Sequence, residues 1–213
     1  MEHNTTFEVS SISKIEGDSK VKALASVVIN NEFAVRGIRV MDSEKGLFVA
    51  MPNKKFGDEY ADIAFPVTAE ARKSINEAVM NSYNQLMQTN EKTLKNEIST
   101  AEKSSSEIKP TLKNVDYENT KAVGQIKIDD CFVVTGVKVI EVEGKPPFVS
   151  MPSYQTQTGE YKDFALPVTK EMREKLDKSV LDKYRSLDKI ENKKKKAKAP
   201  TPEKTKQTAK HKR

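Results

Sequence analysis

The chain repeats itself. Phe48-Val49-Ala50-Met51-Pro52 returns one hundred positions later as Phe148-Val149-Ser150-Met151-Pro152, and the echo extends on both sides. Lys22-Ala23 matches Lys121-Ala122, Phe33-x-Val35-x-Gly37 matches Phe132-x-Val134-x-Gly136, and Glu59-Tyr60-x-Asp62 matches Glu160-Tyr161-x-Asp163. Pro66-Val67-Thr68-x-Glu70-x-Arg72 matches Pro167-Val168-Thr169-x-Glu171-x-Arg173. Solenoids use shorter repeats and usually three or more of them. Two long copies therefore predict two tandem modules, over 7–87 and 110–187, with a polar linker over 88–109 and a tail over 188–213.

Each copy reads as α+β: a bent antiparallel sheet followed by a C-terminal helix. Weak alternation at Phe7, Val9, Ile12 and Ile15 suggests one strand. Ala122, Gly124, Ile126 and Ile128 fall on one face of a second, as do Ala23, Ala25, Val27 and Ile29, the period of a half-buried strand. Asn30-Asn31 and Asp129-Asp130 follow, residues that tolerate left-handed turns, so a hairpin is expected. In the returning strand the apolar phase switches at Gly37 and at Gly136, the mark of a bulge. Phe48 to Met51 makes a further strand ended by proline. Tyr60 to Phe65 (Tyr161 to Leu166) is expected as a fourth that pairs back across the loop. Thr68 and Thr169 are N-caps of helices whose apolar stripes are Ala71, Ile75, Val79, Tyr83, Leu86 and Met172, Leu176, Val180, Tyr184, Leu187.

Charge is unevenly spread. Asp188 to Arg213 holds eleven Lys/Arg against three acids, a net +8, so residues 1–187 carry −2 of the chain's +6. The tail, with Lys193, Lys194, Lys195, Lys196 and Lys198, has almost no apolar residues and is expected to be disordered and to bind polyanions by counterion release. Ser99 to Ser106 reads as a flexible linker. The single cysteine, Cys131, has no internal disulfide partner and is expected as a buried or turn thiol. No apolar run reaches membrane-spanning length and no signal segment opens the chain, so a cytoplasmic protein, free or nucleoid-associated, is expected.

An enzyme is not expected. Both histidines, His3 and His211, lie at the ends of the chain. There is no phosphate-cradling glycine loop and no metal-ligand cluster, so neither cofactor nor metal is expected.

Each copy resembles the SpoVG (stage V sporulation protein G, septation protein) family. The residues that carry this are Lys22-Ala23, Asn31-Glu32-Phe33-x-Val35, Ile38-Arg39-Val40-Met41-Asp42, Gly46-Leu47-Phe48-Val49-Ala50-Met51-Pro52 and Asp62-Ile63-Ala64-x-Pro66, then the helix from Thr68. The resemblance implies dimer-forming domains that bind DNA, and RNA in some members, in transcription regulation, sporulation or division. The family's basic pair after Met-Pro-Ser stands here as Lys54-Lys55 and is replaced by Tyr154-Gln155 in the second copy. Its arginine before Asp-Ile-Ala is Ala61 and Lys162; its helix arginine is Arg72 and Arg173; its histidine before the proline is Phe65 and Leu166. Lys54, Lys55, Arg72 and Lys73 would form one phosphate site if the loop lay over the first helical turn. Lys162 and Arg173 are the corresponding candidates in the second copy. The expected partners are DNA and, as in some family members, RNA, with no membrane, and the modules are expected to pair within one chain or as a homodimer. The competing reading is a protein-interaction module in septation or sporulation without base readout, which the modules' net −2 favours.

Overall fold

The computed structural model describes residues 5–98, 106–156 and 158–197. The first module runs β1 (Phe7–Lys14), β2 (Val21–Ile29), β3 (Phe33–Ser43), β4 (Gly46–Ala50), β5 (Asn53–Phe56), β6 (Glu59–Asp62), β7 (Ala64–Pro66) and α1 (Ala69–Met87). After β8 (Thr93–Lys95), the second repeats the plan as β9 (Ile108–Tyr117), β10 (Thr120–Ile128), β11 (Phe132–Ile140), β12 (Phe148–Ser150), β13 (Ser153–Gln155), β14 (Tyr161–Asp163), β15 (Ala165–Pro167) and α2 (Lys170–Ala197).

Local chemistry dictates the bends. Asn30, Asn31, Asp129 and Asp130 all take positive φ, between 47° and 57°, closing the β2–β3 and β10–β11 hairpins as their short polar side chains allow. Between Ala25 and Val27 the β2–β3 register shifts, and between Gly124 and Gln125 the β10–β11 register does the same. The extra residues lie in β3 and β11, where Gly37 and Gly136 adopt φ of 79° and 75°, a conformation costly for any side chain.

The bulge has a consequence that the sequence did not disclose. One edge of β3 serves two partners: β15 along Phe33–Val35 and β4 along Arg39–Ser43, with Gly37 between them. Likewise β11 takes β7 along Phe132–Val134 and β12 along Lys138–Ile140. The short strands are thus exchanged, each joining the other module's sheet. Both pairings match residue for residue: Ala64 lies opposite Val134 and Ala165 opposite Val35. An approximate two-fold therefore relates the modules. Backbone bonds flank each crossing, from Thr135 N to Ile63 O (2.7 Å) and Val67 N to Cys131 O (2.8 Å), and from Arg36 N to Phe164 O (2.7 Å) and Val168 N to Glu32 O (2.8 Å).

The expected single strand over Tyr60–Phe65 is accordingly two strands. Only β6 pairs back across the loop, with β5; β7 leaves for the neighbouring sheet. A three-residue strand carries its pattern but not the identity of its partner.

The core is continuous across the two halves. Phe33, Phe132, Ile38, Ile75, Ile126 and Leu176 are fully buried within one cluster. Phe7 of β1 meets Phe132 of β11 with ring centroids 6.4 Å apart. Both helices bury the expected stripes, capped by Thr68 Oγ1 accepting from Ala71 N (3.2 Å) and Thr169 Oγ1 from Met172 N (3.1 Å). Leu187, at the end of the second stripe, is only partly buried.

A buried polar junction joins the hairpin turns. Asn30, 3% exposed, donates from Nδ2 to Ser106 Oγ (2.8 Å) and to Asp129 Oδ2 (2.6 Å), and its Oδ1 accepts from Thr6 N (2.8 Å). Asp129 also accepts from Glu107 N (2.6 Å), and the Glu32 carboxylate accepts from Ser106 N (3.0 Å). Asn30 and Asp129 are equivalent positions of the two copies.

The stretch 88–109 is therefore not a tether throughout. Thr93–Lys95 forms β8 on the free edge of β1, Ser106 is fully buried, and β9 begins at Ile108; residues 99–105 lie outside those described. The tail reading needs a similar correction, since α2 continues through Ala197 and takes in the backbone of Lys193 to Lys196. Lys198 and the rest of the tail lie outside the described residues.

Gly124 proves to be more than one apolar position among several. A Cβ there would stand 2.0 Å from Thr111 O and 2.9 Å from Leu112 Cα, so β9 lies where a methyl would go. The first module has Ala25 at this place, opposite Ile12. Gly124→Ala is expected to cost about 1–3 kcal/mol, the range for overpacking a tight site, and to lower the melting temperature followed by circular dichroism.

Candidate nucleic-acid interface

The two β5–β6 and β13–β14 hairpins project as ribbons beside the crossings. Every residue from Lys54 to Asp62 is exposed. Polar and aromatic side chains alternate on the first ribbon. Lys55 stands opposite Tyr60 and Phe56 opposite Glu59, with Phe56 56% and Tyr60 69% exposed. Large rings left in solvent beside unpaired cations are what a stacking and phosphate-binding surface requires. Among the described residues, Lys54, Lys55 and Arg72 form no ion pair.

Register accounts for a substitution that in sequence looks like a loss. Lys54 pairs across the ribbon with Ala61, and the equivalent rung of the second ribbon pairs Tyr154 with Lys162. Each ribbon keeps one cation on the same rung, supplied from opposite strands. Lys162 lies 3.9 Å from Glu160, an exposed pair of small energetic weight.

The helix cations stand elsewhere. Arg72 and Lys73 line a shallow cleft with Thr68 and Asn76, whereas Lys54 lines a different one with Lys138. Of the four residues expected to converge, Arg72 and Lys73 thus line one surface and Lys54 another that shares no lining residue with it, while Lys55 lines neither. Lys73 is 3.9 Å from Glu77. Arg173 is 3.7 Å from Asp177, and its charge, with that of Arg36, also acts on Asp163. Burial pushes the Asp163 carboxyl above the usual carboxylate range against the pull of those two guanidinium groups. Burial raises Asp177 as well, with Arg173 opposing. Arg173 is therefore engaged by acids to a degree that Arg72 is not.

Lys138 is the residue that sequence reasoning missed. It is exposed on β11, and only the crossing of the modules brings it to the first ribbon. The Cys131 thiol, in the β10–β11 turn, is raised above its ordinary value chiefly by burial, which disfavours the thiolate. Among the described residues no group of His, Cys, Asp and Glu is placed to hold a metal, and no helix is long and apolar enough to cross a membrane.

Comparison with known proteins bears on the whole arrangement. Relatives that carry the name "Putative septation protein SpoVG" align with about one module's length of this chain. The protein of Acetivibrio thermocellus is 47% identical over 73 residues, covering 34% of this chain and 78% of its own. That of Agathobacter rectalis is 44% identical over 73 residues, 34% of this chain and 84% of its own. That of Brevibacillus brevis is 40% identical over 84 residues, 39% of this chain and 88% of its own. The SpoVG family profile matches twice, over residues 6–85 and 106–186, and so takes in both modules. The chain belongs to the SpoVG family.

Proposed function

We propose that this chain is a nucleic-acid-binding regulator acting in septation or sporulation, the setting for which its relatives are named. The observation that carries this reading is the first ribbon. Lys54 and Lys55 are unpaired there, beside Phe56 and Tyr60 exposed on the same hairpin. The basic segment after residue 187 adds sequence-independent attraction for phosphates. The modules' own net charge of −2 makes the placement of cations, rather than their number, the source of preference. We propose also that the strand exchange is satisfied within one chain, so that one chain presents both ribbons.

Fluorescence anisotropy with labelled DNA and RNA across a salt series tests the reading. The full chain is expected to bind, with log affinity falling linearly in log salt by about 0.9 per duplex phosphate neutralised. A chain ended at residue 187 should keep weaker binding with a shallower slope. Lys54→Ala/Lys55→Ala should weaken binding about tenfold, roughly the 1.4 kcal/mol of one charge-assisted contact. Tyr154→Ala/Gln155→Ala should weaken it less. Absence of binding by the full chain at low salt would overturn the proposal.

A further inference from the structure

We propose that Lys138, in the second module, completes a phosphate site with Lys54 of the first, and that this composite site forms once per chain. It takes one nucleotide unit of a strand, with the phosphate between the two ammonium groups and the base against Phe56. The inference rests on the nucleic-acid reading above and names the place where that reading is realised.

The cleft has a volume of about 180 Å³ and is built from both halves of the molecule. Lys54 and Phe56 come from the first ribbon, and Lys138 and the Ser150–Ser153 turn from the second module. Among the described residues neither lysine has an acidic partner, so both charges are free to face an anion. Phe56 is more than half exposed at the same cleft and offers a ring face to a base, a sequence-tolerant contact.

The place related by the approximate two-fold is differently furnished. There Tyr154 stands where Lys54 does, and its ring packs on Phe164 with centroids 4.7 Å apart. Phe164 in turn lies against Gly37, 3.7 Å from where a Cβ would sit. Arg39, the counterpart of Lys138, donates from Nη2 to Met51 O at 2.9 Å. The divergence of the copies thus replaces the ribbon lysine and engages the β3 arginine at one of two equivalent positions, and leaves two free lysines at the other. A pair of identical modules would carry two such sites; here the cation on the second ribbon's equivalent rung, Lys162, lies 3.9 Å from Glu160, and the free lysine pair is left at the first.

The experiment is a double-mutant cycle on the full chain, read as affinity for labelled oligothymidylate, oligouridylate and a duplex of mixed sequence at low salt. Lys138→Ala and Lys54→Ala are each expected to weaken single-strand binding about tenfold, and both together hardly more than either alone, because two groups holding one phosphate act as a unit. Phe56→Ala should weaken single-strand binding about tenfold, within the range for loss of one base stack, with little change for the duplex. Titration should saturate at one strand per chain. Both lysines are exposed, so the variants should fold, which circular dichroism checks. Wild-type affinity in Lys138→Ala with a loss in Lys54→Ala would overturn the composite site and leave the nucleic-acid reading standing. Losses that multiply would do the same, showing two separate contacts. Failure of the wild-type chain to bind any of the three probes would overturn both.

Discussion

Phe33→Ala is expected to lower the stability of the whole chain by about 3–5 kcal/mol, the range for removing a fully buried phenylalanine. Phe33 is completely buried, opposite Ile29 on one side and the exchanged Pro167 on the other. For a protein whose total margin is about 5–15 kcal/mol, this is a large fraction. At roughly 2–4 °C per kcal/mol for a chain of this length, the melting temperature should fall by roughly 6–20 °C. Both modules should melt together, because the cluster that contains Phe33 also contains Phe132, Ile126 and Leu176 of the second module. Amide exchange resolved by module, beside circular dichroism, checks this. Loss of protection confined to residues 7–87 would show that the halves are independent.

Asn30→Asp is expected to be as damaging, for an electrostatic reason. The Asn30 amide donates to the Asp129 carboxylate at 2.6 Å in a site 3% exposed. An aspartate in its place loses both Nδ2 donors and sets a second carboxylate against the first. An uncompensated buried charge costs about 3–5 kcal/mol. The sign with pH follows. Two facing carboxylates raise each other's folded-state pKa above the unfolded value, so the folded chain holds the extra proton more tightly. The deficit is then full above the raised pKa and shrinks as pH falls through it towards the ordinary carboxylate range. Urea unfolding of wild type and variant at neutral and mildly acidic pH measures it. A deficit that does not change with pH would mean that lost hydrogen bonds, not repulsion, set the cost.

Much of the architecture could be read from residue order. The alternation at Ala122 to Ile128, the left-handed turn residues at 30–31 and 129–130, the glycine bulges and the helical stripes each encode geometry within a few residues, and each was legible. What was not legible depends on contacts between distant segments. Period tells which face of a strand is buried, not which strand lies beside it, so Ala64–Pro66 gave no sign of joining β11. Tyr154 opposite Lys162 needed register across a ribbon, and Lys138 beside Lys54 needed the crossing of two modules. Gly124 looked like one small residue among several until the nearness of Thr111 O showed why no Cβ fits. Composition marks the lysines at 193–196 as solvated and charged, and carries no sign of the helix whose backbone takes them in. At the ribbon, the family resemblance marked Lys54-Lys55; the exposed Phe56 and Tyr60 came only from the fold.

The central claim is that reciprocal strand exchange makes the two modules one folded unit within a single chain. Native mass spectrometry after cleavage at a protease site introduced between residues 99 and 105 tests it most directly. The account predicts that the two fragments stay together as one complex with the mass of a single chain, held by the β7–β11 and β15–β3 pairings, the shared core and the Asn30–Asp129 junction. Fragments that separate under native conditions, or a complex with the mass of two chains, would contradict it.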